Sequence, residues 1–193
     1  MEIIEVKNKS YKVVEEVNSY TFLVSDDNKN YLVYNFDQNI DGFKDFKFAN
    51  KRLKASNVTI PAVYVIDKKN HRFLVEYIKG DTVFDTLTKQ DLDEKIIELC
   101  FNQNYRARIN RMRLDFDPVN FKYVDGKLYY LPFTFTEYSR EADFTQKELR
   151  LWFYTNDFKE LLISKGIPVD KSRLKNEYER NKEIVLTVVK YFK

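Results

Sequence analysis

Leu114-Asp115-Phe116-Asp117-Pro118-Val119-Asn120 runs directly into Phe121-Lys122-Tyr123-Val124-Asp125-Gly126-Lys127-Leu128-Tyr129-Tyr130-Leu131-Pro132-Phe133. The second half reads as a β-hairpin over residues 120–124 and 127–133, because Asp-Gly between two apolar runs suits the two left-handed positions of a tight turn. The first half reads as a bend, in which Asp and Asn side chains can bond their own backbone. The same two residue types also serve chemistry: the Asp115 carboxylate can accept a hydrogen bond from a hydroxyl, and the Asn120 amide oxygen can ligate a hard cation. The residues alone leave both readings open.

Upstream of this stretch, residues 91–111 have the spacing of a long helix, with Leu92, Ile96, Leu99 and Cys100 on one face, preceded by a short helix over 81–87. Before Gly80 the pattern is different. Runs 11–17, 20–25 and 31–36 read as an antiparallel meander, 42–54 as a helix, and 62–67 and 71–77 as two further strands. Downstream, 146–165 and 171–191 read as closing helices, the first ended by Gly166 and Pro168. The chain is therefore expected to be α+β, with residues 1–79 as a small antiparallel sheet plus one helix and residues 80–193 as a mainly helical lobe.

Composition narrows the chemistry. Cys100 is the only cysteine and His71 the only histidine among 193 residues. An internal disulfide, a cysteine zinc site, a CxxC redox pair and a histidine metal cluster are thereby excluded. His71 reads as an ordinary residue beside a turn, and Cys100 as a small core residue. Trp152, Phe153, Tyr154 and Phe158 read as core. A formal charge of +3 is too small to imply nucleic acid by itself. Met1-Glu2-Ile3-Ile4-Glu5 does not read as a secretory signal, and no apolar run reaches the roughly 20 residues of a membrane helix. A cytoplasmic protein without a membrane partner is the expectation.

The order of strands, helix, strands, Glu-Tyr-x-x-Gly, helices, Asp-x-x-x-x-Asn and hairpin resembles the protein-kinase-like fold, especially its small bacterial and archaeal members of the RIO type. The resemblance spans nearly the whole chain. Phe73-Leu74-Val75-Glu76-Tyr77-Ile78-Lys79-Gly80 looks like the hinge between two lobes, and 114–120 looks like the catalytic loop. The resemblance implies a two-lobed fold and ATP with magnesium as cofactors. It makes Glu76, Tyr77 and Ile78 the segment that would meet the nucleotide, Asp115 the base, and Asn120 with Asp117 the metal ligands. The hinge also has a plainer reading, since any lobe connection needs a turn.

Three departures weaken the catalytic implication. Pro132-Phe133-Thr134 stands where the family has its metal-binding Asp-Phe-Gly, and proline offers no anionic ligand. Asn35, or Tyr34 one position earlier, stands where the phosphate-positioning lysine would be. No glycine precedes Gly42, and the first turn carries Glu15 and Glu16, which would repel phosphate. The reading is a pseudokinase acting as a binding or regulatory module for a protein partner, with nucleotide affinity weak or absent.

Two alternatives remain. One is an atypical phosphotransferase using Asp115 and Asn120, with metal ligands recruited from Asp117 or Glu137. The other is an RNA- or ribosome-associated factor built on Arg106, Arg108, Arg111 and Arg113, four arginines within eight residues. That cluster is either an anion site or a set of salt bridges to the protein's own acids.

Overall fold

The computed structural model describes residues 2–26, 29–146 and 148–192. Residues 27 and 28, between the runs expected at 20–25 and 31–36, and Lys147 of the expected helix 146–165, lie outside these. The protein is mixed α+β, and its chain divides into two compact units: residues 1–52 with 60–79, and residues 53–59 with 80–193. The expected boundary at 79 is thus met by a second crossing near residue 52, where the last turn of a helix leaves the first unit.

The first unit is one curled six-stranded antiparallel sheet with a helix. Its elements are β1 (Ile3–Val6), β2 (Lys9–Asn18), β3 (Thr21–Asp26), β4 (Lys29–Asn35), α1 (Ile40–Ala55), β5 (Val63–Asp67) and β6 (Arg72–Glu76). The strand order is β1-β2-β3-β4-β6-β5. β1 is an addition to the five expected strands; four residues beginning among charges carry too little alternation to announce a strand. It pairs only with residues 9–12 of β2. Among the described residues the rest of β2 is laddered to β3 alone, with register shifts between Val13 and Glu15 and between Glu16 and Asn18.

Phe73-Leu74-Val75 is apolar at every position because both faces of β6 are covered. On one face Phe43 and Phe46 of α1 pack on Phe73, with ring centroids 4.7 and 4.3 Å apart. On the other, Ile4, Val6, Tyr11, Val24, Val33 and Leu74 form a second core. A buried carboxylate ties the two tight turns together: Asp67 accepts hydrogen bonds from the N–H of Lys7 at 2.6 Å, from those of Lys69 and Asn70, and from the Asn70 amide. Lys7 and His71 take positive φ in those turns.

The second unit contains α2 (Val83–Lys89), α3 (Glu94–Ile109), β7 (Met112–Arg113), β8 (Phe121–Val124), β9 (Lys127–Tyr130), β10 (Thr136–Glu137), α4 (Asn156–Ser164) and α5 (Glu177–Tyr191). Gly80 begins it at φ +124°, a conformation L side chains rarely adopt. A reciprocal capping box starts α2: Thr82 Oγ1 accepts the Asp85 N–H, and Asp85 accepts the Thr82 N–H. The Asp125-Gly126 turn has φ of +50° and +74°, as a two-residue hairpin of this type needs. Phe84, Leu87, Tyr154, Phe158 and Leu162 join α2 to α4. Gln103, 3% exposed on α3, accepts the Thr59 N–H and donates to the Leu128 carbonyl.

Three expected helices are shortened. The helix expected to reach residue 111 ends at Ile109, where Asn110 donates its amide to the Arg106 carbonyl and Arg111 turns left-handed at φ +58°. The helix expected over 146–165 is a 3-10 turn, Glu148–Trp152, followed by α4. Trp152, Phe153 and Tyr154 are all buried, and three consecutive large side chains cannot all point to one side of an α-helix. Thr155 restarts the helix by capping Phe158. The last helix begins at Glu177 under an Asn176 cap rather than at 171.

Candidate functional site

β7 leads into the 114–120 loop, which alternates between buried and accessible side chains. Leu114, Phe116 and Pro118 are buried, and Asp115 is exposed. The Asp115 carboxylate accepts the Asp117 N–H at 3.2 Å, and the Asp117 carboxylate accepts the Val119 N–H at 3.0 Å. Asp117 thereby caps a 3-10 turn, Pro118–Asn120, whose first residue has no N–H to satisfy. The Asn120 amide donates to the Asp115 carbonyl at 3.3 Å, and the Asn120 carbonyl accepts the Leu131 N–H at 2.8 Å. Asp115, Asp117 and Asn120 are thus gathered into one knot against β9.

Two aromatic side chains hold this knot from the protein interior, and sequence reasoning gave neither a role in it. Trp152 donates its indole N–H to the Phe116 carbonyl at 2.8 Å. Tyr130, fully buried, accepts the Asp115 N–H and donates to the Thr134 carbonyl. Burial pushes its phenol above the usual range. The Phe116 ring stacks on Phe121 and packs on Phe144, with centroids 5.4 and 4.5 Å apart. A signal for Tyr130 was available, because a tyrosine at an inward strand position needs a partner for its hydroxyl.

Asp115, Asp117 and Asn120 are the polar side chains of the loop, and Pro132 follows β9. Glu137 lies exposed in β10, opposite Met112. Among the described residues, no three or more His, Cys, Asp or Glu side chains are grouped as metal ligands would be.

In the first unit Asn35 accepts from Arg72 Nε at 3.1 Å and from the Asp37 N–H. Arg72 also pairs with Asp37 and donates to the Glu5 carbonyl at 2.7 Å. Tyr34 packs 4.7 Å from Phe46, and burial pushes its phenol up to about 12. Neither residue supplies a cation. At the strand end, the Glu76 N–H donates to the Ala62 carbonyl and the Glu76 carboxylate accepts the Ala62 N–H. Tyr77 is half-buried and Ile78 buried.

Three of the four arginines have different partners. Arg106 donates to the Asn57 carbonyl at 2.9 Å, and Arg108 lies 4.4 Å over the Phe192 ring. Arg113 pairs with Glu148 and donates to the Ala142 carbonyl at 2.6 Å. Arg111, off the helix, is exposed. Burial raises the Glu148 carboxyl above its usual range even though Arg113 pulls it down. Among the described residues no helix is long and apolar enough to cross a membrane. The chain matches no protein-family model and no curated protein.

Proposed function

We propose that this chain is a kinase-like protein that has lost its phosphate-handling groups, a pseudokinase that serves as a binding or regulatory module. The element order supports this reading: four strands, the first of them the added β1, then a helix, two strands, the 76–80 connection, helices, the Asp115–Asn120 loop and a hairpin. One observation carries it. The 114–120 loop is fully built, with Asp115 exposed, while Asn35, at the place the resemblance reserves for lysine, is bound into the Arg72–Asp37 network. The scaffold is kept and the charges are gone. Phosphoryl transfer depends on positioning and charge stabilisation, so losing both the cation and the metal carboxylate removes most of the rate.

The test is a thermal-shift titration with ATP, with and without magnesium or manganese. A ligand that binds only the folded state raises apparent stability by mass action, by about 2.7 kcal/mol at a hundredfold excess over Kd. No shift at millimolar nucleotide is the expected result. A metal-dependent rise of several degrees overturns the reading and favours the atypical phosphotransferase.

A further inference from the structure

Arg180 sits in the first turn of α5, yet it is only 4% exposed. Its Nη1 donates to Glu183 Oε2 at 2.9 Å. Its Nη2 is 3.9 Å from Asp91 Oδ2, close enough for charge attraction but too far for a hydrogen bond. Nε and Nη2 are both buried with no hydrogen-bond partner among the described residues. These two N–H groups share one edge of the planar guanidinium, the edge that grips a carboxylate through two parallel bonds. Buried donors on a charged group are seldom left unmet.

There is space beside them. Arg180 lines a cavity of about 30 Å³ with Leu87, Asp91 and Trp152. Leu92, Ile97, Phe153 and Glu183 line both this cavity and a groove of about 710 Å³ between α3 and α5. That volume lies within the roughly 300–1,000 Å³ of small-molecule sites. Leu186 adds a further apolar wall.

Arg180 lies in a chain of charges of alternating sign. Arg173 meets Asp91 at 3.0 Å, Asp91 faces Arg180, Arg180 meets Glu183, and Glu183 meets Lys175 at 3.1 Å. The Arg173 cation also acts on the Asp170 carboxylate, so three cations face three carboxylates. The other charged groups on the groove, Glu94 with Lys190 and Glu179 with Lys182, cancel in number.

We propose that the α3–α5 groove binds a small organic acid with one carboxylate and an apolar body. The carboxylate seats on Nε and Nη2 of Arg180, and the apolar body lies along Leu92, Ile97, Phe153 and Leu186. One carboxylate meets both N–H groups of that edge. The site draws on nothing in the 114–120 loop and stands apart from the kinase-like reading.

The test is calorimetric titration of the full chain with octanoate, with 1-octanol and inorganic phosphate as controls. Saturable octanoate binding is expected, with neither control competing. Arg180→Lys keeps the charge but loses the two-pronged edge, and should weaken octanoate at least tenfold. Leu186→Glu, at a position 59% exposed, should weaken it comparably without lowering the melting temperature, and decides the matter if Arg180→Lys does not fold. The proposal is overturned by no saturable binding at millimolar octanoate, by equal binding of octanol, by equal binding of phosphate, or by Leu186→Glu binding octanoate unchanged.

Discussion

The Tyr130 hydroxyl accepts the Asp115 N–H at 3.2 Å and donates its own proton to the Thr134 carbonyl at 3.1 Å. One phenol thus joins the 114–120 loop to the segment that follows β9. Tyr130→Phe keeps the ring and removes both bonds, leaving a donor and an acceptor unmet near the core. We expect a loss of about 1–3 kcal/mol in urea unfolding. For a chain of this size that corresponds to a fall in melting temperature of roughly 2–4 °C per kcal/mol. A melting temperature within 1 °C of the parent would contradict the assignment.

Arg113→Gln removes the cation facing Glu148. The pair is mostly buried, with Arg113 25% and Glu148 14% exposed, so the cost should be about 2 kcal/mol, below the range for fully buried pairs. Burial already raises the Glu148 carboxyl. A raised acid group loses stability as pH climbs through its folded value, and removing Arg113 enlarges that loss. The deficit of the variant should therefore be larger at pH 8 than at pH 5, as read from paired denaturant titrations. Arg111→Gln, at an exposed position, should be within about 0.5 kcal/mol of the parent at either pH.

Asp67 gives the opposite pH signature. Burial opposes its ionisation, yet the N–H groups of Lys7 and Asn70, the Asn70 amide and the Lys69 N–H prevail and hold the carboxyl below its usual range. Its stabilisation is complete above the unfolded value of about 4 and disappears as pH falls through the lowered folded value. Asp67→Asn should cost about 1.5–3 kcal/mol at pH 7, and the two proteins should converge in strong acid. An undiminished gap at the lowest pH would show that the contribution does not depend on the charge.

Asp115→Asn should leave phosphoryl transfer unchanged, because none is expected to be detectable with labelled ATP and magnesium. Turnover abolished by that substitution would establish Asp115 as a working base.

What the sequence made legible was local. Asp125-Gly126 declared its hairpin because both residues tolerate positive φ, and the meander declared itself through alternation. Asp115, Asp117 and Asn120 could be placed together because they lie within six residues. The supports could not be read in the same way. Tyr130 and Trp152 reach Asp115 and Phe116 across 15 and 36 residues, and no periodicity records such a partner. The four arginines straddle a helix end: Arg106 and Arg108 lie on α3, Arg111 beyond it at positive φ and Arg113 in β7. Arg180 stands among Glu177, Glu179 and Asn181, polar neighbours that give no sign that the fold buries it.

The two register breaks in β2 bear on how the protein behaves at high concentration. A straight strand edge is a template on which another copy can add, and this stretch exposes Val14 at 57% and Val17 at 51%. Each break interrupts the regular row of donors and acceptors and increases the local twist, while Glu15 and Glu16 bring like charges to any second copy. The β2 edge therefore resists fibrillar self-templating, at the expense of regular pairing at the far end of its hairpin with β3.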